Sequence, residues 1–159
     1  MTEPNNTTTI VKRLQSVQSQ LKAPKGQQNK FGNYNYRSAE DILEALKPLL
    51  DSNGLALVIS DDIVEIAGRV YVKANAAVID SISNQQIFSN GFAREAETKK
   101  GMDDAQITGS ASSYARKYAL NGLFAIDDTK DSDSTNTHGK DNTSKPQQNE
   151  TVNALDGLI

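Results

Sequence analysis

The chain has 159 residues, of which 36% are apolar, and it carries a formal net charge of −3 with a pI near 5.2. An acidic chain does not coat nucleic acid by bulk charge, so any such binding must come from a local basic patch. The absence of cysteine excludes a disulfide framework, a thiolate zinc site and a cysteine nucleophile. With no apolar segment long enough to span a membrane and no signal peptide, the sequence predicts a cytoplasmic protein without a membrane partner.

Charge divides the chain into a nearly neutral part and an acidic tail. Residues 1–126 carry a net charge of +1, whereas residues 127–159 carry −4. A tail rich in Ser, Thr, Asn, Gln and charges buries too little apolar surface to offset the entropy lost on ordering. We therefore predict a flexible N-terminus (1–8), one folded domain (9–128), a disordered acidic linker (129–150) and a short apolar tip (151–159). The tip is either a docking motif or a frayed terminus.

Helical spacing of apolar residues predicts the first two elements. Ile10, Leu14 and Val17 recur at the period of an amphipathic helix, which Ala23-Pro24 ends. A second helix is expected from Ala39 to about Asp51, because Ser38 and Asp41 have the spacing of an N-cap and apolar residues follow with the same period. Pro48 is expected to bend or nearly end this helix.

From Leu55 the apolar period changes to two, which predicts β-strands. Gly68 and Ser83-Asn84 are suited to turns between them. The predicted strands are Leu55 to Ser60, Ile63 to Ile66, Val70 to Ile79 and Gln85 to Ala93. The expected fold class is therefore α+β, an antiparallel β-meander of three or four strands packed with helices.

Aromatic residues are concentrated in the segment from Phe31 to Arg37. If this segment is extended, Tyr34 and Tyr36 project to the same side. Lys30 and Arg37 flank them and no acidic residue intervenes, a combination that suits base stacking together with phosphate contact. The alternative is that the tyrosines pack as a lid over the next helix.

A third helix is predicted from Gln106 to Leu120, with Asp103 and Gln106 at the spacing of a capping box and Asn121-Gly122 as its stop. At about 100° per residue its sequence divides into two faces. The predicted apolar stripe, which we assign to packing and oligomer contacts together with the small residue Gly109, consists of Ile107, Ala111, Tyr114 and Tyr118.

The opposite face of this helix is small and basic. Gly109 and Ser113 carry little side chain, so another backbone can come close to Arg116 and Lys117, which suits phosphate contact. Lys99 and Lys100 lie in the polar loop before the helix, and the four cations could form one patch. The alternative is a surface helix and a loop with solvated cations.

Three blocks of the sequence resemble the essential recombination function (ERF) family of phage single-strand annealing proteins. They are FGNYNYRSAEDILEALKPLL (31–50), GLAL (54–57) and GSASSYARKYALNGLFAIDDTKDSD (109–133), and the resemblance covers roughly residues 10 to 133. The last block is the most specific, although Ser113 stands where the family usually has threonine and Lys117 where it usually has arginine. Lysine lacks the planar fork that holds a phosphate through two hydrogen bonds, so we place Arg116 first among the expected phosphate contacts.

The resemblance implies a protein that binds single-stranded DNA, assembles into rings or filaments, and pairs complementary strands in phage recombination. It implies a non-enzymatic protein of the bacterial host cytoplasm with an annealing-protein-like core and no cofactor, in agreement with the absence of an ATP-binding glycine-rich loop. A phage exonuclease and a host single-stranded DNA-binding protein are candidate partners. The predicted DNA-binding residues are Lys30, Tyr34, Tyr36, Arg37, Lys99, Lys100, Ser113, Arg116 and Lys117.

Two other functions compete with annealing. An adaptor of phage replication would use the basic face to bind a protein partner. A metal-dependent nuclease would use the acidic run as ligands, but that run lacks the glycine and glutamate positions of a calcium loop and a supporting histidine. The acidic residues concerned are Asp127, Asp128, Asp131 and Asp133.

Overall fold

The computed structural model describes residues 9–127. The predictions for residues 1–8, 129–150 and 151–159 lie outside this part, as do Asp128, Asp131 and Asp133. In chain order the elements are α1 (Ile10–Gln20), β1 (Gln27–Asn29), β2 (Tyr34–Tyr36), α2 (Ala39–Ser52), β3 (Leu55–Ile66), β4 (Arg69–Asp80), β5 (Gln86–Arg94) and α3 (Asp104–Leu123).

The two N-terminal helices begin at side-chain caps. The Thr9 hydroxyl accepts a hydrogen bond from the Lys12 N–H, and Ser38 and Asp41 form a reciprocal capping box at α2. Helix α2 continues to Ser52, one residue past the expected end at about Asp51, and Pro48 lies inside it without ending it. Proline removes a single backbone donor, and the burial of Leu46 and Leu50 on either side of it holds the last turn in place.

Three antiparallel strands form the main sheet, in the order β3-β4-β5, and a separate two-stranded sheet pairs β1 with β2. The α+β class with an antiparallel meander is thereby confirmed, with three strands. Residues 55–66 form one strand, whereas we expected two strands separated by Asp61-Asp62. The backbone pairing of β3 with β4 continues through Asp61 and Asp62, because their side chains point to opposite sides of the sheet. The Asp61 carboxylate is bound by Ser112 and Arg116 of α3.

Tight turns join the three strands. Ala67 (φ 52°) and Gly68 (φ 73°) form a two-residue connection between β3 and β4, a conformation that suits the twist of a hairpin. In the β4–β5 turn the Asp80 carboxylate accepts hydrogen bonds from the backbone N–H groups of Ile82 and Ser83. The Ile82 hydrogen bond lowers the pKa of Asp80 below its ordinary value, with help from Ser83 and the Arg13 charge against the opposing effect of burial.

All three helices pack on one side of the main sheet. The alternate residues Val72, Ala74, Ala76 and Val78 of β4 are fully buried in a core shared with α1, α2 and α3. Helices α1 and α3 are also joined directly, since the Gln18 side-chain amide donates to the Leu123 carbonyl at 2.9 Å. The opposite side, which we call the open face, consists of the alternating residues of β3, β4 and β5 that point away from the helices.

Candidate nucleic-acid interface

Helix α3 carries most of the predicted site residues, and its start agrees with the sequence. Asp103 and Gln106 form the predicted capping box, with 2.8 Å between the Gln106 backbone nitrogen and the Asp103 carboxylate. The predicted stop is wrong, because Asn121 and Gly122 lie inside a helix that ends at Leu123. The left-handed residue after the helix is Ala125, with φ of 52°.

Small residues on α3 face the sheet. Ala111, Ala115 and Ala119 are buried at one-turn intervals, and Ala115 and Ala119 lie against β5 at Gly91. A Cβ atom at Gly91 would overlap the carbonyl oxygen of Ala115 and the amide nitrogen of Ala119. The backbones of helix and strand are therefore in direct contact, and only glycine fits at this position of β5.

The predicted apolar stripe of α3 is partly wrong. Ile107 and Ala111 are buried, but Tyr114 and Tyr118 keep 50% and 46% of their surface exposed. The helix presents Ala111, Ala115 and Ala119 to the core, and its backbone at Ala115 and Ala119 contacts Gly91, which leaves both tyrosines at the edge of the packed side. Their predicted role in holding α3 to the core is therefore not present in the subunit, and oligomer contacts through them stay a prediction.

Tyr114, Lys117 and Tyr118 form one group on the surface of α3. The two rings have centroids 6.3 Å apart, and the Lys117 ammonium lies 5.5 Å from the Tyr114 centroid and 5.7 Å from that of Tyr118. These distances are those of cation–π contacts. The group presents aromatic surface and a positive charge side by side. These are the two features with which proteins bind single-stranded nucleic acid.

Arg116, first among the predicted phosphate contacts, is instead bound to β3. Its guanidinium contacts the Asp61 carboxylate through Nε at 3.0 and 3.1 Å and through a terminal nitrogen at 2.9 Å, while Ser112 donates to the same carboxylate. Burial disfavours the charged form of Asp61, but the hydrogen bonds from Arg116 and Ser112 outweigh it and lower its pKa. A phosphate at Arg116 would therefore have to compete with Asp61.

A cleft of about 400 Å³ lies beside the tyrosines, between the end of β5, the following loop and α3. Tyr114 and Tyr118 line it together with Lys99, which sequence reasoning had selected, and with Phe92 and Arg94, which it had not. The alternation of β5 could have identified Phe92 and Arg94 as exposed residues but gives no sign that they adjoin α3. An acidic group is also close, since Glu95 accepts a hydrogen bond from the Thr108 hydroxyl.

The aromatic segment forms a hairpin, β1–β2, that the sequence did not predict. Asn29 accepts hydrogen bonds from the backbone N–H groups of Phe31 and Gly32 and so shapes the turn, in which Phe31 is fully exposed. Tyr34 and Tyr36 meet edge to face at 6.2 Å and are 47% and 37% exposed. They do not form a buried lid over α2, and their contact with bases stays a prediction.

Arg37 and the loop lysines occupy different ends of the domain. Arg37 donates to the carbonyl of Ala23 at 2.7 Å and to that of Asp127 at 3.1 Å, so its guanidinium fastens the chain after α3 to the loop before the hairpin. Lys99 and Lys100 precede the other end of α3, and a helix of 20 residues is about 30 Å long. Arg37 therefore lies toward the opposite end of α3 from Lys99 and Lys100, and Lys30 stands in the turn of the hairpin.

The outer side of α3 matches the predicted small face at two positions. Ser113 and Gly109 are exposed, and no neighbouring atom lies within 4 Å of where a Gly109 Cβ would stand. Lys100 is exposed but does not line the cleft. These residues remain accessible to a ligand, and their role in DNA binding stays a prediction.

Within residues 9–127, neither a three-ligand metal cluster nor a membrane-spanning helix is present. No group of three His, Cys, Asp or Glu residues in this range is arranged to hold a metal ion. Asp127 is the one member of the predicted acidic run inside the described range, so the nuclease hypothesis rests on residues outside it. None of the helices between Thr9 and Asp127 combines the length and the apolar character that crossing a membrane requires.

Comparison with known proteins agrees with the resemblance of the sequence blocks. A relative from Salmonella phage P22, described as "Essential recombination function protein", is 55% identical over 134 residues, which cover 84% of this chain. The chain spans 63% of the length of that relative. No solved structure matches the chain. The family model of the ERF superfamily matches residues 10–155, and the chain therefore belongs to the ERF superfamily.

Proposed function

We propose that this protein binds single-stranded DNA and anneals complementary strands during phage recombination, without ATP. The observation that carries the proposal is the Tyr114–Lys117–Tyr118 group, with both rings exposed and Lys117 half-buried, beside a cleft that Arg94 and Lys99 also line. Membership of the ERF superfamily and the description of the phage P22 relative support a role in recombination.

Stacking and phosphate contact would together hold the strand without reading its sequence. Each base stacked on Tyr114 or Tyr118 contributes about 1–3 kcal/mol, and the cations neutralise the backbone. Because every base has a flat face, the pairing edges stay available to a second strand. One subunit contacts few nucleotides, so a stable duplex nucleus requires several subunits side by side. The outer edges of β3 and β5 pair with no other strand among residues 9–127, which makes them candidates for that assembly.

Substitutions on α3 test the proposed contact. We expect Tyr118→Ala to weaken binding of a labelled oligo-dT by about 5- to 150-fold, the equivalent of one stacked base, and Tyr118→Phe to bind normally. Lys117→Ala should reduce the slope of log K against log salt by about 0.7, one phosphate contact. Fluorescence anisotropy at several salt concentrations measures both changes.

The matched control is Lys47→Ala, which removes an exposed helical lysine that pairs with Glu44 on α2. It should change neither affinity nor salt slope by a comparable amount. If Lys117→Ala and Tyr118→Ala stay folded and bind like the unaltered protein, the α3 surface is not the DNA contact.

Annealing and assembly need separate measurements. Two complementary labelled oligonucleotides should pair faster with the protein than without it, with no nucleotide or metal added. Light scattering should show particles several-fold heavier than the 17.2 kDa chain. A strict monomer with and without DNA would contradict the cooperative mechanism. A phage exonuclease and a host single-stranded DNA-binding protein are proposed as partners in the same pathway.

A further inference from the structure

The main sheet is covered on one side and bare on the other. Every strand residue of the core cluster, together with the residues packed against it, belongs to the side that faces the helices. The solvent side of such an antiparallel sheet is ordinarily polar. Here Phe88 is 58% exposed and Phe92 is 44% exposed, on the same side of β5. Aromatic residues in that position indicate a ligand-binding surface.

Charge on the open face selects the kind of ligand. The register places Lys73 opposite Phe92, and Arg94 ends the same row of β5 side chains. Among the open-face residues of β4 and β5 no carboxylate occurs, and on the open face of β3 Asp62 stands across from Lys73. The surface therefore favours an anion that also has flat apolar parts. A second copy bound through the same face would bring the cations of both copies together, which opposes that arrangement.

A hydrogen-bonding pair separates the two phenylalanines. Asn75 and Asn90 are cross-strand partners, and the Asn75 amide donates to the Asn90 side-chain oxygen at 2.9 Å. Their remaining donors and acceptors lie between Phe88 and Phe92, where they can bond to base edges or phosphates. Alternating aromatic and polar side chains on a bare sheet are a general means of stacking unpaired bases.

The open face continues into the cleft beside α3. Phe92 and Arg94 belong to the open-face row of β5 and also line the cleft with Tyr114 and Tyr118. We propose that the open face of β4 and β5, centred on Phe88 and Lys73, is a second surface for single-stranded DNA, reached from the cleft around the free edge of β5. This inference rests on the proposed function, since it extends the path of the same ligand.

The test compares strand lengths, because a second surface adds affinity only when the strand is long enough to reach it. Oligo-dT from about 4 to about 30 nucleotides would be titrated against the full chain and against Phe88→Ala. We expect Phe88→Ala to bind the shortest strands normally and the longest about five- to tenfold more weakly. The control is Ile82→Ala, which removes an even more exposed apolar residue from the β4–β5 turn, outside both surfaces.

Photocrosslinking gives an independent readout. Oligonucleotides containing iodouracil should crosslink to the tryptic peptide of residues 74–94, which holds Phe88, and Phe88→Ala should abolish the adduct at that position. Equal affinity of Phe88→Ala at every length, with no crosslink at Phe88, would overturn the proposal even if Tyr118→Ala confirms the cleft. Phe88→Ala could instead change the particle mass measured by sedimentation without any length-dependent loss of affinity. That result would also overturn the proposal, because the open face would then be a contact between subunits. If only Tyr118→Ala departs from its expected result and binds oligo-dT like the unaltered protein, the proposed function is contradicted and not this inference.

Discussion

The contact between α3 and β5 makes Gly91→Ala the most informative single substitution for the fold. The new Cβ would overlap backbone atoms of Ala115 and Ala119 and stand 3.0 Å from the carbonyl carbon of Tyr118. Carbon atoms pack best at about 3.5–4.0 Å, so the helix must move away from the strand by roughly 1 Å or more. Overpacking costs about 1–3 kcal/mol, and we expect about 3 kcal/mol because the obstructing atoms belong to a hydrogen-bonded backbone.

Urea unfolding followed by circular dichroism measures this loss, and Gly109→Ala is the matched control. Gly109 lies in α3, the helix that contacts Gly91, and no neighbouring atom lies within 4 Å of the position that its Cβ would take. Alanine there should stabilise the domain by about 0.5–1 kcal/mol through helix propensity. If Gly91→Ala unfolds within about 1 kcal/mol of the unaltered protein, the helix backbone does not lie against β5 as described.

Two further predictions concern the ion pair between Arg116 and Asp61. Arg116→Ala should lower the free energy of unfolding by about 1–2 kcal/mol, because it leaves a partly buried carboxylate unpaired, and should weaken DNA binding less than Lys117→Ala does; melting curves beside anisotropy titrations separate the two effects. Since the pKa of Asp61 is lower in the folded state, its stabilising effect is complete above the unfolded value of about 3.9 and is lost as pH falls through the lower folded value. Acid titration of Asp61→Asn should accordingly show a shallower loss of stability below pH about 4 than the unaltered protein shows, with parallel curves above that pH.

Features decided by neighbouring residues could be read from the sequence. The capping boxes at Ser38 and Asp103 involve groups three residues apart, so spacing alone predicts where α2 and α3 begin. The antiparallel meander followed from alternation within each strand. The end of α3 was missed because Asn121-Gly122 is a strong local stop signal, whereas the burial of Leu123 and Phe124 extends the helix beyond it.

The candidate site depends on contacts between distant residues, which no local sequence pattern reveals. Arg116 is separated from Asp61 by 55 positions, and no local pattern reveals that pair. Tyr114 and Tyr118 have the spacing of a buried stripe, but the decisive contact is that of the alanines with Gly91 on another element. The sequence thus identified the helix that carries the candidate site but neither the Asp61 partner of its arginine nor the exposure of its tyrosines, and the DNA contacts of these residues stay predictions.

The two-residue turn at Ala67-Gly68 has a consequence for the order of folding. It closes a hairpin of two twelve-residue strands whose partners are near in sequence, and such hairpins form within about 1–10 μs. The link from Gln18 to Leu123 spans 105 positions and requires a much larger loss of chain entropy. We expect the β3–β4 hairpin to form in the folding nucleus and the α1–α3 contact to form after the transition state. Substitutions in the turn should therefore slow folding, whereas Gln18→Ala should mainly speed unfolding.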